Sequence, residues 1–199
     1  MKCRATFEVD TFYHIFNHAV GNEDLFRNDE NFHYFLKKYS QHTGKVFDTH
    51  AYCLMPNHFH FLVKIKPYDD LKQLPKFSDN VHKFVMQKLS NLLNAYAKAY
   101  NAKYKRKGAL FLDSTKRIAI IDDAHFATIV NYIHQNPVHH GFCKTVEEWN
   151  FSSYNAIISK KPSKIQRDYI LNWFGGIKNF VQFHKDNTVV LQDELEFLK

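Results

Sequence analysis

Apolar positions along this chain switch between two periods. Residues 11–20, TFYHIFNHAV, are rich in β-branched and aromatic side chains and predict a strand, which GNED then breaks. Asp29 is placed to cap a helix through ENFHYFLKKYSQHT, where Phe32, Phe35 and Leu36 form a stripe at helical spacing and Gly44 supplies a stop. KVFDTHAYCLMPNHFHFLVKIK predicts two strands joined at Met55-Pro56-Asn57, because Pro suits the first central turn position and Asn tolerates the second. Side chains alternate along a strand. Phe59, Phe61, Val63 and Ile65 therefore make one apolar face, and His58, His60, Leu62 and Lys64 make the other.

YDDLKQLPKFSDN reads as a loop, after which Ser78 or Asp79 opens a long helix, VHKFVMQKLSNLLNAYAKAYNAKY. A basic loop at 103–108, KYKRKG, leads to a strand region, ALFLDSTKRIAII. DDAHFATIVNYIHQNPV predicts a helix with acidic residues at its start and Pro137 at its stop. The order is β-α-β-β-α-β-α, and its first six elements match the ferredoxin-like split βαβ arrangement. The expected fold class is α+β: an antiparallel sheet with helices on one face and the other face free for a site. From Gly141 onward come WNFSSY, a linker SKKPSK and a helical tail, which divides the chain into a main domain at 1–157 and a C-terminal helical extension at 158–199.

Composition narrows the partner. A 45% hydrophobic, 16% aromatic chain of 199 residues can bury a sizeable core, which excludes wholesale disorder. The net charge of +7 favours an anionic partner, nucleic acid first and an acidic membrane surface second, although a merely solvated basic surface gives the same charge. Cys3, Cys53 and Cys143 are far apart and lack CxxC spacing, which argues against a disulfide framework or cysteine zinc site and fits a reducing cytosol. With no apolar signal core and no run of membrane-spanning length, the expected location is cytoplasmic.

Two imidazoles at i and i+2 on a strand can share a divalent cation, and His58 and His60 have that spacing. Taken alone the pattern is weak, since two half-exposed histidines on a sheet face read the same way. The segment NYIHQNPVHHG adds a second half: Tyr132 and Asn136, four apart, share a helix face. Pro137 disfavours the α conformation before it, so Asn136 is expected at the helix end with its amide oxygen free for a cation. Gln135 could serve the same role, and a lone helical Tyr is more commonly a core residue. His134 is expected to point away. His14 and His18 share one strand face and line the site side or satisfy its edge, and His139 and His140 read as surface residues. Lys103, Lys105, Arg106, Lys107, Lys116 and Arg117, with Tyr104 and Phe111 interleaved, could track a phosphate backbone or simply form a solvated loop.

Together these residues resemble the single-tyrosine HUH (His-hydrophobic-His) transposases, in particular the REP-associated tyrosine transposase branch. The resemblance rests on MPNHFHFLV, on YIHQNPV at 132–138, and on Trp149 followed by Ser152, Ser153 and Tyr154, supported by GALF and FYHIFNHA. It covers residues 12–154 in order, making 1–157 the transposase catalytic domain. It departs at His18, where relatives commonly carry Arg, and at Asp113 and Ser114, where a more basic strand is usual. The resemblance implies an enzyme that cuts and rejoins single-stranded or hairpin DNA through a covalent 5′-phosphotyrosine. Tyr132 would be the nucleophile; His58, His60 and Asn136 would hold Mg²⁺ or Mn²⁺; the six basic residues would hold DNA. It implies no nucleotide cofactor, no membrane partner, and a monomer or homodimer. Two rival readings keep the same residues: a metal-dependent phosphodiesterase using water, and a domesticated hairpin-DNA binder without catalysis. A replication initiator or relaxase of the wider HUH group is a third, against which YIHQNPV and WNFSSY speak.

Overall fold

The computed structural model describes residues 4–188; Cys3 and the end of the predicted extension lie outside them. Strands β1 (Phe12–His18), β2 (Phe47–Met55), β3 (His58–Ile65) and β4 (Lys116–Ala119) form one antiparallel sheet in the order β2-β3-β1-β4. This is the split βαβ arrangement read from the sequence. Pro56 and Asn57 alone connect β2 to β3, and a bulge between Thr49 and Ala51 shifts the pairing of β2.

The predicted alternation of β3 divides two cores. Phe59, Phe61, Val63 and Ile65 join Tyr13 and Ile15 against helices α1 (Asp29–Thr43) and α3 (Val81–Lys103), which supply Phe35, Val85, Leu92 and Tyr96. A short helix, α2 (Tyr68–Leu71), forms within the predicted loop. The caps lie next to their predicted positions. Asn28, rather than Asp29, accepts from the Asn31 N–H at 3.2 Å, and Asn80, rather than Ser78 or Asp79, accepts from the Lys83 N–H at 2.8 Å. Asp79 has φ of 51° and Asn80 an extended backbone, and an N-cap needs the extended conformation.

The other sheet face, expected to be free, is covered. Phe16, Ala51, Cys53, Leu62 and Ile118 are apolar and need a lid. α4 (Asp123–His139), α5 (Tyr154–Ile158), α6 (Arg167–Trp173) and α7 (Ile177–Asp186) provide it through Ile129, Val130, Ile133, Ile157, Ile170 and Phe180. The described part of the tail thus shares this second core. The segment WNFSSY lies along β2: Leu54 N–H donates to Phe151 O and Ser153 N–H to Tyr52 O, both at 2.9 Å. Trp149 Nε1 donates to Leu54 O at 2.9 Å, and the Phe151 ring stacks on Phe32 at 3.9 Å. The run therefore covers an edge that would otherwise present unpaired backbone groups.

Pro137 does not end α4. It removes one N–H from the ladder, yet the helix runs a further turn to His139, with His140 N–H donating to Asn136 O at 3.0 Å. Gly141, at φ of 72°, makes the actual stop: its N–H reaches Val138 O at 3.0 Å and the Phe142 N–H reaches Pro137 O at 2.9 Å, a Schellman pattern. Among the described residues no helix is long and apolar enough to cross a membrane.

Candidate active site

The site lies between β3, β1 and α4. The rings of His58 and His60 are 5.2 Å apart and nearly perpendicular. Each has one nitrogen tied to a neighbour and the other turned inward. His58 Nδ1 is 2.7 Å from Asn57 Oδ1, and its Nε2 is 3.3 Å from Asn136 Oδ1. His60 Nδ1 is 2.9 Å from His14 Nε2, and its Nε2 is 3.5 Å from Asn136 Nδ2.

The hydrogen positions follow from chemistry. Asn57 Oδ1 only accepts, so a neutral His58 carries its hydrogen on Nδ1 and turns the Nε2 lone pair inward. His14 and His60 share one hydrogen; when it rests on His60 Nδ1, the Nε2 lone pair of His60 faces inward as well. Asn136 places its amide against both inward nitrogens, and a half-turn of that amide exchanges its oxygen and nitrogen. Turned either way, the amide sets its oxygen against one inward nitrogen and an N–H against the other, so three electron-pair donors face a cation only once that N–H is turned aside.

Adjacent ligands on an octahedral ion at about 2.1 Å are about 3.0 Å apart, and the 3.3 Å between His58 Nε2 and Asn136 Oδ1 is within a few tenths of an ångström of that. Among the described residues no cluster of three His, Cys, Asp or Glu side chains could hold a metal.

Burial keeps the imidazoles neutral. It lowers His58 to about 3 and His14 to about 3, and holds His60 well below its ordinary value, with neighbouring histidines pushing the same way. Burial raises the Tyr132 phenol above its ordinary value, while its hydrogen-bonding neighbour Asn136 works in the opposite direction. The Tyr132 ring stands perpendicular to His60 at 5.3 Å and to His14 at 5.9 Å. Half-buried His18 stacks flat on His58 at 4.4 Å, and His140 reaches within 4.9 Å of the same ring.

The structure thus brings together Tyr132, His58, His60 and Asn136. It turns Gln135 the other way, where Nε2 donates to His184 O at 2.9 Å, so Asn136 is the amide facing the histidines. His134 also points away, into the second core. One close partner escaped the sequence reading: Asn57, adjacent to His58. Of the two places read for His14, the structure takes the site side, and its contact with His60 depends on the β1–β3 register.

The basic set splits. Lys116 is directly opposite Phe16 and so lies on the site face, with its ammonium 5.6 Å from the Phe16 ring. Arg117 lies on the other face, buried, and donates to Ala5 O at 2.6 Å and Thr115 O at 3.3 Å. Its guanidinium therefore serves the fold. Lys103 pairs with Glu30 at 2.5 Å and Arg106 with Glu23 at 3.0 Å, beside α1; Lys105 and Lys107 are exposed in the same loop. That loop is on the α1/α3 side of the sheet, away from Tyr132.

No family model matches the chain. It is 29% identical over 115 residues to a Haemophilus influenzae (strain Rd) protein provisionally named a REP-associated tyrosine transposase. That alignment covers 55% of this chain and 60% of the relative, so the chain spans less than two thirds of the relative's length. Among solved structures, a REP-associated tyrosine transposase bound to a REP hairpin matches with a TM-score of 0.62 and 17% identity. The match covers 81% of this chain and 88% of that one, and at this identity it is a likeness of fold.

Proposed function

We propose that the chain, which is similar to REP-associated tyrosine transposases in sequence and in fold, cleaves and rejoins single-stranded DNA at a hairpin. Tyr132 is the nucleophile; His58, His60 and Asn136 hold a divalent cation, Mg²⁺ or Mn²⁺. One observation carries the reading: the inward nitrogens of His58 and His60 meet the Asn136 amide, with the Tyr132 ring 5.3 Å from His60.

The Tyr132 Oη attacks the scissile phosphorus. An Oη–P bond forms, the P–O3′ bond breaks, and the phenolic proton is balanced by the proton gained on the departing 3′-oxygen. The 5′-phosphotyrosine conserves the bond energy, so a second 3′-hydroxyl can reverse the step without a nucleotide cofactor. Burial holds the phenol protonated at neutral pH, so Tyr132 is a poor nucleophile unaided. A bound cation supplies positive charge that favours phenolate and draws charge from the phosphate oxygens. The neutral ligand set leaves that charge undiminished.

The test is incubation with a single-stranded hairpin from the chain's genomic flanks, with Mn²⁺ or EDTA. The expected result is an SDS-resistant protein–DNA adduct that EDTA and Tyr132→Phe each abolish. Metal-dependent cleavage that survives Tyr132→Phe would make water the nucleophile. Hairpin binding with no cleavage by the unmodified chain would make it a binding protein.

A further inference from the structure

The side of α4 turned away from the histidines carries three buried polar residues, and each bonds to the end of α7. Asn131 Nδ2 donates to Asn187 O at 2.7 Å, Gln135 Nε2 donates to His184 O at 2.9 Å, and His134 Nδ1 is 2.8 Å from His184 Nε2. The last carbonyls of a helix have no partner within it, and here two find one on α4.

His134 belongs to a longer chain whose direction is fixed at both ends. His184 Nδ1 is 2.8 Å from Phe180 O, a pure acceptor, so His184 carries its hydrogen there and its Nε2 accepts. His134 must then donate from Nδ1, leaving its Nε2 to accept from the Ser153 hydroxyl at 2.8 Å. Ser153 Oγ in turn accepts the Tyr52 N–H at 2.8 Å. Every link has one donor and one acceptor, and His134, His184 and Ser153 are all buried. Tyr52 is next to Cys53, which pairs directly with His60.

We propose that Ser153, His134 and His184 are positioning residues: the chain from Tyr52 to Phe180 sets the rotation of α4 relative to β3, and so aims Tyr132 and Asn136 at His58 and His60. This rests on the catalytic reading above. It makes α7 part of the catalytic unit, because without it the back of α4 loses all three anchors. A small rotation suffices to matter, since a misplacement of about 1 Å can cost about 100-fold in rate.

The test compares the full chain with Ser153→Ala, which removes one hydroxyl, and His184→Phe, which removes the last side-chain link. Tyr96→Phe is the control, as it deletes a buried hydroxyl bond to Leu25 O in the other core. Adduct formation with hairpin DNA and Mn²⁺ is timed well below each melting temperature. Ser153→Ala is expected to slow it at least about tenfold with DNA affinity within about threefold, whereas Tyr96→Phe keeps the rate of the unmodified chain. Nitrogen-15 spectra of the unmodified chain are expected to show His134 and His184 both as Nδ1–H tautomers. The proposal is overturned if Ser153→Ala reacts within twofold of the unmodified chain, if Tyr96→Phe slows it equally, or if His134 carries its hydrogen on Nε2. Should His184→Phe fail to fold, Ser153→Ala and the spectra decide. An unmodified chain that forms no adduct overturns the catalytic reading and this inference with it.

Discussion

At the scale of single residues, the site depends on which nitrogen of each histidine is occupied elsewhere. Asn57 holds His58 Nδ1 and His14 holds His60 Nδ1, so the partners decide that Nε2 is the inward atom in both. Asn57→Ala and His14→Phe are each expected to weaken Mn²⁺ binding about 10- to 100-fold, measured by calorimetric titration, while the far-ultraviolet circular dichroism stays unchanged. Equal affinity in both variants would separate these contacts from metal binding. Strand alternation made the shared face of His58 and His60 legible. It could not choose between Gln135 and Asn136, because neighbouring amides on a helix differ only in direction and the deciding partner, His184 O, is almost fifty residues away. Nor could it pair His14 with His60, which requires the register of two strands separated by a helix and a third strand.

At the scale of elements, existence was easier to read than boundaries. The first three predicted strands and the three long helices form, because each carries a clear apolar period, whereas the strand region predicted over 109–121 forms a strand only at Lys116–Ala119. The ends depend on backbone conformation, which a run of cap-competent residues such as Ser78, Asp79 and Asn80 leaves undecided. Pro137 was the larger misreading: a proline costs one ladder bond, but burial of Pro137 and the Schellman closure at Gly141 hold a further turn. Gly141→Ala tests that closure. No heavy atom lies within 4 Å of the added Cβ, so the cost is conformational, and a loss of about 1 kcal/mol is expected in urea denaturation. WNFSSY was recognisable as a motif but not as an edge cover, since nothing local in it names β2 as its partner.

Across the whole molecule, the strand order was legible from the alternation of periods, while the covered second face was not. Its lid combines α4 and α5 with a tail joined by a lysine- and proline-containing linker, whose apolar residues acquire meaning only once Leu62, Ala51 and Ile118 are known to face the same way. Burial also fixes a response to acid. Six of the thirteen histidines are buried, and His14, His50, His58 and His184 are lowered to between about 3 and about 4. Below an unfolded value near 6.5, the unfolded chain binds protons that the fold refuses, so stability is full above about pH 6.5 and falls as pH drops toward the folded values. Each such group contributes up to about 1.4 kcal/mol per pH unit. Urea midpoints are therefore expected to fall steeply between pH 6.5 and 4.5, and a flat profile would contradict neutral buried histidines.

The covalent link itself is the most direct measurement. After reaction with hairpin DNA and Mn²⁺, nuclease trimming and peptide mapping by mass spectrometry are expected to find a residual 5′-nucleotide on Tyr132 alone. Cleaved DNA with no modified peptide, or a nucleotide on any residue other than Tyr132, would contradict the assignment.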